Sequence, residues 1–182
     1  MSTIKVDTLT DTSGNSIPYM KGAVLQVQYL QIDTTVGAIS LSANTDTVVT
    51  QLSVNITPRS TSSIIRLDTH IFHEWASAVA PTESAWFFYR DTTKLAASYA
   101  SNRQTGISMS RISYHDADAG STPEIVTYSY FDQPSTTSQI TYKVGVSNYY
   151  ATYFSLNRTI NDTDNAQNER GISFISATEI GG

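Results

Sequence analysis

From residue 23 onward apolar side chains recur at every second position, and hardly anywhere at the third-and-fourth spacing of a helix. Val48, Leu52, Val54 and Ile56 fall on one face of residues 47–56, with Thr47, Gln51, Ser53 and Asn55 on the other. Ile140, Tyr142, Val144 and Val146 alternate in the same way with Gln139, Thr141, Lys143 and Gly145. Successive side chains of a strand point to opposite faces, so this period marks strands half buried against a core. Thr, Val, Ile and Tyr, the residues favoured here, fit a pleated surface best. The pattern predicts strands over 23–32, 36–41, 47–56, 63–75, 84–90, 94–100, 106–114, 124–131, 138–147, 149–156 and 171–180. Thr57-Pro58-Arg59-Ser60, Asp116 to Pro123, Asp132-Gln133-Pro134-Ser135 and Asn161 to Asn168 supply turns between them. The one rival helix, Lys94 to Ala100, is short. The fold class is therefore all-β, an antiparallel β-sandwich or jelly roll.

At 182 residues the chain has room for one domain and a short arm. Residues 1–20 form that arm, since Ile4, Val6 and Leu9 are its only sizeable apolar residues before Ile17. Such a segment cannot close its own core. Ile4 and Val6 alternate as a strand would, so we expect an extended arm for assembly or attachment that orders by joining another chain. The sandwich domain occupies 21–182.

The chain holds 25 Thr and 24 Ser, more than a quarter of its residues, and no Cys. Disulfides, Cys-ligated zinc, iron–sulfur clusters and thiol catalysis are excluded. Eleven basic against sixteen acidic residues leave a net charge of −5, which disfavours nucleic acid as a partner. No apolar run approaches the roughly 20 residues of a membrane-spanning helix, and no basic-then-apolar leader opens the chain. We expect a soluble product, not exported by the usual route, with no membrane insertion.

Sharper chemical readings fare poorly. His70-Ile71-Phe72-His73-Glu74 has its histidines three apart on a strand, hence on opposite faces, whereas a zinc-protease motif needs them four apart on a helix. Asp116-Ala117-Asp118-Ala119-Gly120 with Glu124 misses the ligand spacing of a calcium loop, and Asn161-Asp162-Thr163-Asp164-Asn165 reads as a polar turn. No Gly-x-Ser-x-Gly elbow, phosphate loop or dinucleotide fingerprint occurs. Asp68 and Glu74 read as the solvent face of their strand. We expect no enzyme, no catalytic residue, no metal and no cofactor.

Tyrosine carries the remaining signal. Tyr128 and Tyr130 share a strand face, and Tyr149, Tyr150 and Tyr153 crowd another segment. A ring that is dry at one end and wet at the other suits a subunit interface, which is our reading, with stacking on host glycan as the alternative. Loops 101–105, 115–123, 132–138 and 157–169 are the candidates for such contacts.

Several segments resemble one group of proteins. Ser2-Thr3-Ile4-Lys5-Val6-Asp7-Thr8-Leu9, followed by Asp11-Thr12-Ser13-Gly14-Asn15, resembles the opening of tail-fibre and other virion structural proteins of tailed phages, especially marine ones of the cyanophage type. Gly22-Ala23-Val24-Leu25-Gln26-Val27 is similar to the first strand of a fibre-type domain in that group, and Leu52-Ser53-Val54-Asn55-Ile56-Thr57-Pro58 with Ser60-Thr61-Ser62-Ser63 to its inter-strand turn. Tyr89-Arg90-Asp91, Ser101-Asn102-Arg103, Phe131-Asp132-Gln133-Pro134 with Thr141-Tyr142-Lys143-Val144, and Asn157-Arg158-Thr159 with Asn161 to Asp164 follow in the same order. Ser173 to Ile180 looks like the closing strand, so the resemblance covers nearly the whole chain. It implies a non-enzymatic virion protein made in the host cytoplasm. It implies also a homotrimer, attached to tail or capsid proteins through the N-terminal arm. With only about a dozen residues between opening and domain, a short tail fibre, a knob or a head-surface decoration fits the length better than a long shaft. The alternative is a C1q-like or lectin-like module that binds a host-surface glycan as receptor.

Overall fold

A computed structural model describes residues 21–76, 83–98, 101–110 and 120–182. Ten strands follow one another: β1 Val24–Ile32, β2 Val36–Leu41, β3 Thr47–Ile56, β4 Ile64–Trp75, β5 Ser84–Arg90, β6 Thr93–Leu95, β7 Glu124–Asp132, β8 Ile140–Asn148, β9 Thr152–Leu156 and β10 Ser173–Ile180. The described residues contain no α-helix, and so none long and apolar enough to cross a membrane.

Their pairing is fully nested. β1 pairs with β10, β2 with β9, β3 with β8, β4 with β7 and β5 with β6, all antiparallel. This is one long two-stranded ribbon, and folding it over on itself gives the jelly-roll plan. The fold-over sets β10 beside β4 and β8 beside β5, so a sheet of β1, β10, β4, β7, β9 and β2 faces one of β3, β8, β5 and β6. β7 lines one edge of β4, while the other edge is shared, with β10 along Ile64–His70 and β9 along His73–Trp75. Asn157, at the changeover, has a left-handed backbone (φ 60°) that Asn tolerates better than most residues. Its side-chain amide donates to the carbonyls of Ile32 and Thr34, and its Oδ1 accepts from the Ser173 hydroxyl at 2.6 Å.

Between the sheets lies one continuous core. Ile65, Leu67 and Ile71 of β4, Ile175 of β10 and Val126 of β7 meet Leu52 and Ile56 of β3, Trp86 and Phe88 of β5, and Tyr142 and Val144 of β8. Each such side chain contributes roughly 1.5–3 kcal/mol by leaving water. β4 alone reaches about 36 Å, which gives the sandwich two distinct poles. The first and last described residues meet at one of them, the pole of the chain ends: the Gly22 N–H donates to the Gly181 carbonyl at 2.6 Å, and the Gly181 N–H to that of Ala23 at 2.9 Å.

Several expectations need correction. Val48 is only half buried, whereas Val49 and Leu52 are both fully buried. An irregularity between Val49 and Ser53 sets three extra residues of β3, 50–52, into the register with β8, and that odd number reverses the face. Of the strand expected over 94–100, the described residues give Thr93–Leu95 only, because the chain bends at Ala96, and 99–100 lie outside the described residues. Of the strand expected over 106–114, the described part makes a single bridge, Ser108 to Trp86. Glu74 lies on the outer face of β4 yet is 2% exposed. It is covered by loops that the local pattern does not contain.

Candidate assembly surface

The outer face of the larger sheet is built from alternate residues of four strands in register. Across β1, β10, β4 and β7 run the rows Tyr29–Ser176–Asp68–Ser129 and Val27–Thr178–Arg66–Phe131, with Gln31–Phe174–His70–Thr127 beside them. In the middle, Arg66 and the Ser129 hydroxyl both donate to Asp68, at 2.9 and 2.6 Å, and the rings of His70 and Phe174 stack at 5.9 Å. The flanks are apolar and open to water. Tyr29 is 73% and Phe131 62% exposed, and Val24, Val27 and Ile125 are more than half exposed.

The two outer strands of this face differ. On β7 only the outward residues are open, and Val126 and Tyr128 beneath are buried. On β1 the residues paired with the buried side of β10 are exposed as well: Gln28 opposite Ala177, and Leu30 opposite Ile175. β1 thus overhangs the opposite sheet with both faces wet. Among the described residues nothing pairs with its second edge. An open edge carrying apolar side chains is a template for further strand pairing or for sheet packing. The arm residues Ile4, Val6 and Leu9 lie outside the described residues.

The structure divides the five tyrosines. Even-numbered positions of β7 face inward, so Tyr128 belongs to the core and not to an interface or a glycan contact. Its hydroxyl donates across the sandwich to the Phe87 carbonyl at 2.9 Å, its ring meets Phe88 at 4.7 Å, and burial holds its pKa well above the ordinary phenol value. Tyr130 also faces inward and packs against the core, half buried. Tyr149, Tyr150 and Tyr153 are exposed at the pole opposite the chain ends.

Among the described residues four carboxylates are buried, a feature that sequence reading missed: Glu74, Glu124, Asp132 and Glu179. Glu74 Oε1 accepts from the backbone N–H groups of Gly120 and Thr122 and from the Thr122 hydroxyl, and Oε2 from the Ile160 N–H at 2.6 Å. One side chain thereby clamps two loops to β4. Asp132 accepts from Arg90 at 3.0 Å and from the Tyr142 hydroxyl at 2.7 Å. Glu179 accepts from Gln26, from the Arg59 backbone and from the Ser63 hydroxyl.

Ser110, His73 and Glu124 cluster at the far pole and superficially resemble a hydrolase triad. Ser110 Oγ lies 3.1 Å from His73 Nε2, and it also accepts the indole N–H of Trp75 at 3.0 Å and that of Trp86 at 2.9 Å. A hydroxyl oxygen has two lone pairs. Both are occupied by the indoles, so its proton goes to Nε2 and the oxygen has nothing left to attack with. Glu124 approaches the same Nε2, at 3.9 Å, and does not orient the other ring nitrogen as a triad acid would. Burial drives the His73 pKa down to about 4, against backbone hydrogen bonds at Ile71 and Glu124 that raise it. Burial, and then the charge of Glu74, pushes Glu124 up to about 7. His73 and His70 do face opposite ways, as the odd spacing requires.

Asp162, in the Asn161–Asn165 turn, accepts from both Arg158 and Arg170, so its carboxylate is neutralised by cations of this chain. Residues 115–119 of the other candidate ion loop lie outside the described residues, and Glu124 beyond them points inward beside His73. Among the described residues no group of three or more His, Asp or Glu could hold a metal ion. No family model matches this chain, and none of the curated proteins matches it in sequence.

Proposed function

We propose that this chain is a non-enzymatic structural protein of a phage virion, of the fibre type: a short tail fibre, a knob or a head-surface decoration. It assembles with copies of itself and attaches to the particle through residues 1–20. The observation that carries the self-assembly reading is β1, an overhanging strand with an unpaired edge and exposed Val27, Tyr29 and Leu30 on its two faces. Low charge supports it further, since a surface rich in Ser, Thr and Tyr is desolvated at little cost, whereas buried ions cost several kcal/mol each. The threefold state and the virion setting rest on the resemblance of the opening segment and the strands that follow it. Residues 1–20 are followed in sequence by 21–23 and then β1, so an anchor there would adjoin the assembly strand.

Two measurements test this reading. Light scattering across a concentration series is expected to give the mass of three chains, and a species that stays single at high concentration overturns it. Deleting residues 2–16 is expected to leave a folded, assembled domain that no longer incorporates into particles, and normal incorporation defeats the attachment role.

A further inference from the structure

The pole opposite the chain ends carries two open grooves that meet at Gln104. One, of about 240 Å³, is lined by Asn44, Asp46, Lys94, Ser147 and residues 101–105, and the other, of about 400 Å³, continues past Glu83 to Met109. Gln104 is fixed between them. Its Nε2 donates to the Glu83 carbonyl at 3.1 Å and its Oε1 accepts from the Ser147 hydroxyl at 3.1 Å. An amide has two donors and two acceptor sites, so one of each remains for a ligand.

The aromatic partner is adjacent. The Tyr149 backbone N–H donates to the same Glu83 carbonyl that Gln104 uses, at 3.2 Å, which sets the Tyr149 backbone at the rim of the larger groove, outside its lining. The Asn44 N–H donates to the Asn148 carbonyl at 2.8 Å and so sets the 43–46 turn against the same residues. Tyr149 and Tyr150 meet edge to face at 4.9 Å, so each ring steadies the other while both remain about half exposed. The charges of the two linings balance: Asp46 lies 2.9 Å from the Lys94 ammonium, which also sits 3.9 Å from the centre of the Phe87 ring, and Arg103 of the smaller groove offsets Glu83 of the larger. Small-molecule pockets are for the most part apolar with a few polar groups. The smaller groove has amides and hydroxyls instead, from Asn44, Ser101, Asn102, Gln104, Thr105 and Ser147, and with the lining charges balanced it favours a ligand that is itself dense in hydroxyls.

We propose that this pole binds a neutral saccharide, with Tyr149, braced by Tyr150, stacking on the apolar face of a pyranose ring while Asn44, Asn102 and Gln104 hydrogen-bond its hydroxyls. The site is independent of the assembly reading, because none of these residues lies on β1 or on the outer face of the larger sheet. It also points away from the pole of the chain ends. A particle-anchored copy would therefore hold it outward.

The test uses the full chain and a panel of methyl glycosides of glucose, galactose, mannose and N-acetylglucosamine, with N-acetylneuraminic acid alongside, read by saturation-transfer NMR. At least one neutral glycoside is expected to receive saturation, with affinity in the millimolar range. Tyr149→Ala is expected to weaken it about tenfold, the loss of one stacked ring, and Asn102→Ala by a similar factor. Both side chains are exposed, so an unchanged melting temperature separates lost binding from lost folding. Tyr29→Lys, on the assembly face, is expected to leave the signal intact. Silence from every neutral glycoside overturns the proposal, as does binding that survives both groove substitutions. Saturation confined to N-acetylneuraminic acid and lost in Arg103→Ala overturns it too, in favour of carboxylate recognition.

Discussion

Glu179 and Glu124 are the same residue type, both on strands of the larger sheet, both buried, and at opposite poles of the sandwich. Their acidities move in opposite directions. Burial alone would raise Glu179, but hydrogen bonds from Gln26, Ser63 and the Arg59 backbone bring it below the ordinary value. Burial, and then the charge of Glu74, raises Glu124 to about 7, and its Oε2 has no hydrogen-bond partner to offset them. The number of donors aimed at the charge, more than depth, decides its state. The pole of the chain ends is thus held by matched polar groups, whereas the far pole is held by rings: Trp75, Trp86, Phe154 and His73 pack within 5.1–6.1 Å of one another around the Ser110 hydroxyl.

The sharpest way to break this contrast is Trp86→Ala. Trp86 is fully buried and touches three of those rings, so its loss is expected to cost about 3–5 kcal/mol in chemical denaturation. A cost under 1 kcal/mol would show that the far pole is not held by aromatic packing.

The next effect is one of pH. Folded Glu124 binds protons more tightly than in the unfolded chain, about 7 against 4.5, so its contribution falls as pH rises through that window. Folded His73 binds them less tightly, about 4 against 6.5, so its contribution is lost as pH falls from 6.5 toward 4. Each amounts to roughly 3 kcal/mol over its window, and the slopes nearly cancel between about pH 4.5 and 6.5. Glu124→Gln is expected to unmask the histidine, making stability climb with pH across that interval, and His73→Gln to unmask the acid, making it decline. Parallel curves for the two variants would refute the assignment.

At the matched pole, Asp132→Ala strands the Arg90 guanidinium and the Tyr142 hydroxyl. Arg90 keeps some access to water, so the expected cost is about 2 kcal/mol, less than for a fully buried pair. Replacing all three, Arg90→Met with Asp132→Leu and Tyr142→Phe, is expected to recover most of it, because the penalty belongs to the unpaired groups and not to the missing bridge. Failure of the triple variant to recover would mean that the network holds the sheets together in its own right.

These polar features explain where sequence reading stopped. Alternation placed β3, β4, β7, β8 and β10 within a residue or two, because a strand's period is local information. It missed the irregularity that turns Val49 inward, since three residues of β3 set extra against β8 swap the two faces without leaving a local signal. Glu74 looked solvated because what covers it arrives from Gly120 and Ile160, 46 and 86 residues further along the chain. Tyr128 could have been recognised as inward from its parity with Val126. The tyrosines at 149 and 150 were legible as a pair, but their neighbour Gln104 was not, because the bonds from Gln104 and Tyr149 converge on a backbone carbonyl that no side-chain pattern records.

The smallest effect on the fold belongs to β1, where neither pole's logic applies. Val27→Lys with Tyr29→Lys removes two exposed side chains that contact water in the isolated chain, so the unfolding free energy of a single chain is expected to shift by less than about 0.5 kcal/mol. Assembly behaves differently. A chain stabilised by its own copies melts at a temperature that rises with protein concentration, because association draws on the folded state alone. The parent chain is expected to show that dependence, and the double variant is expected to lose it while keeping its circular dichroism spectrum. Should the variant retain the dependence, the contact between copies lies elsewhere, and the exposed Phe131 and Ile125 of β7 become the face to change next.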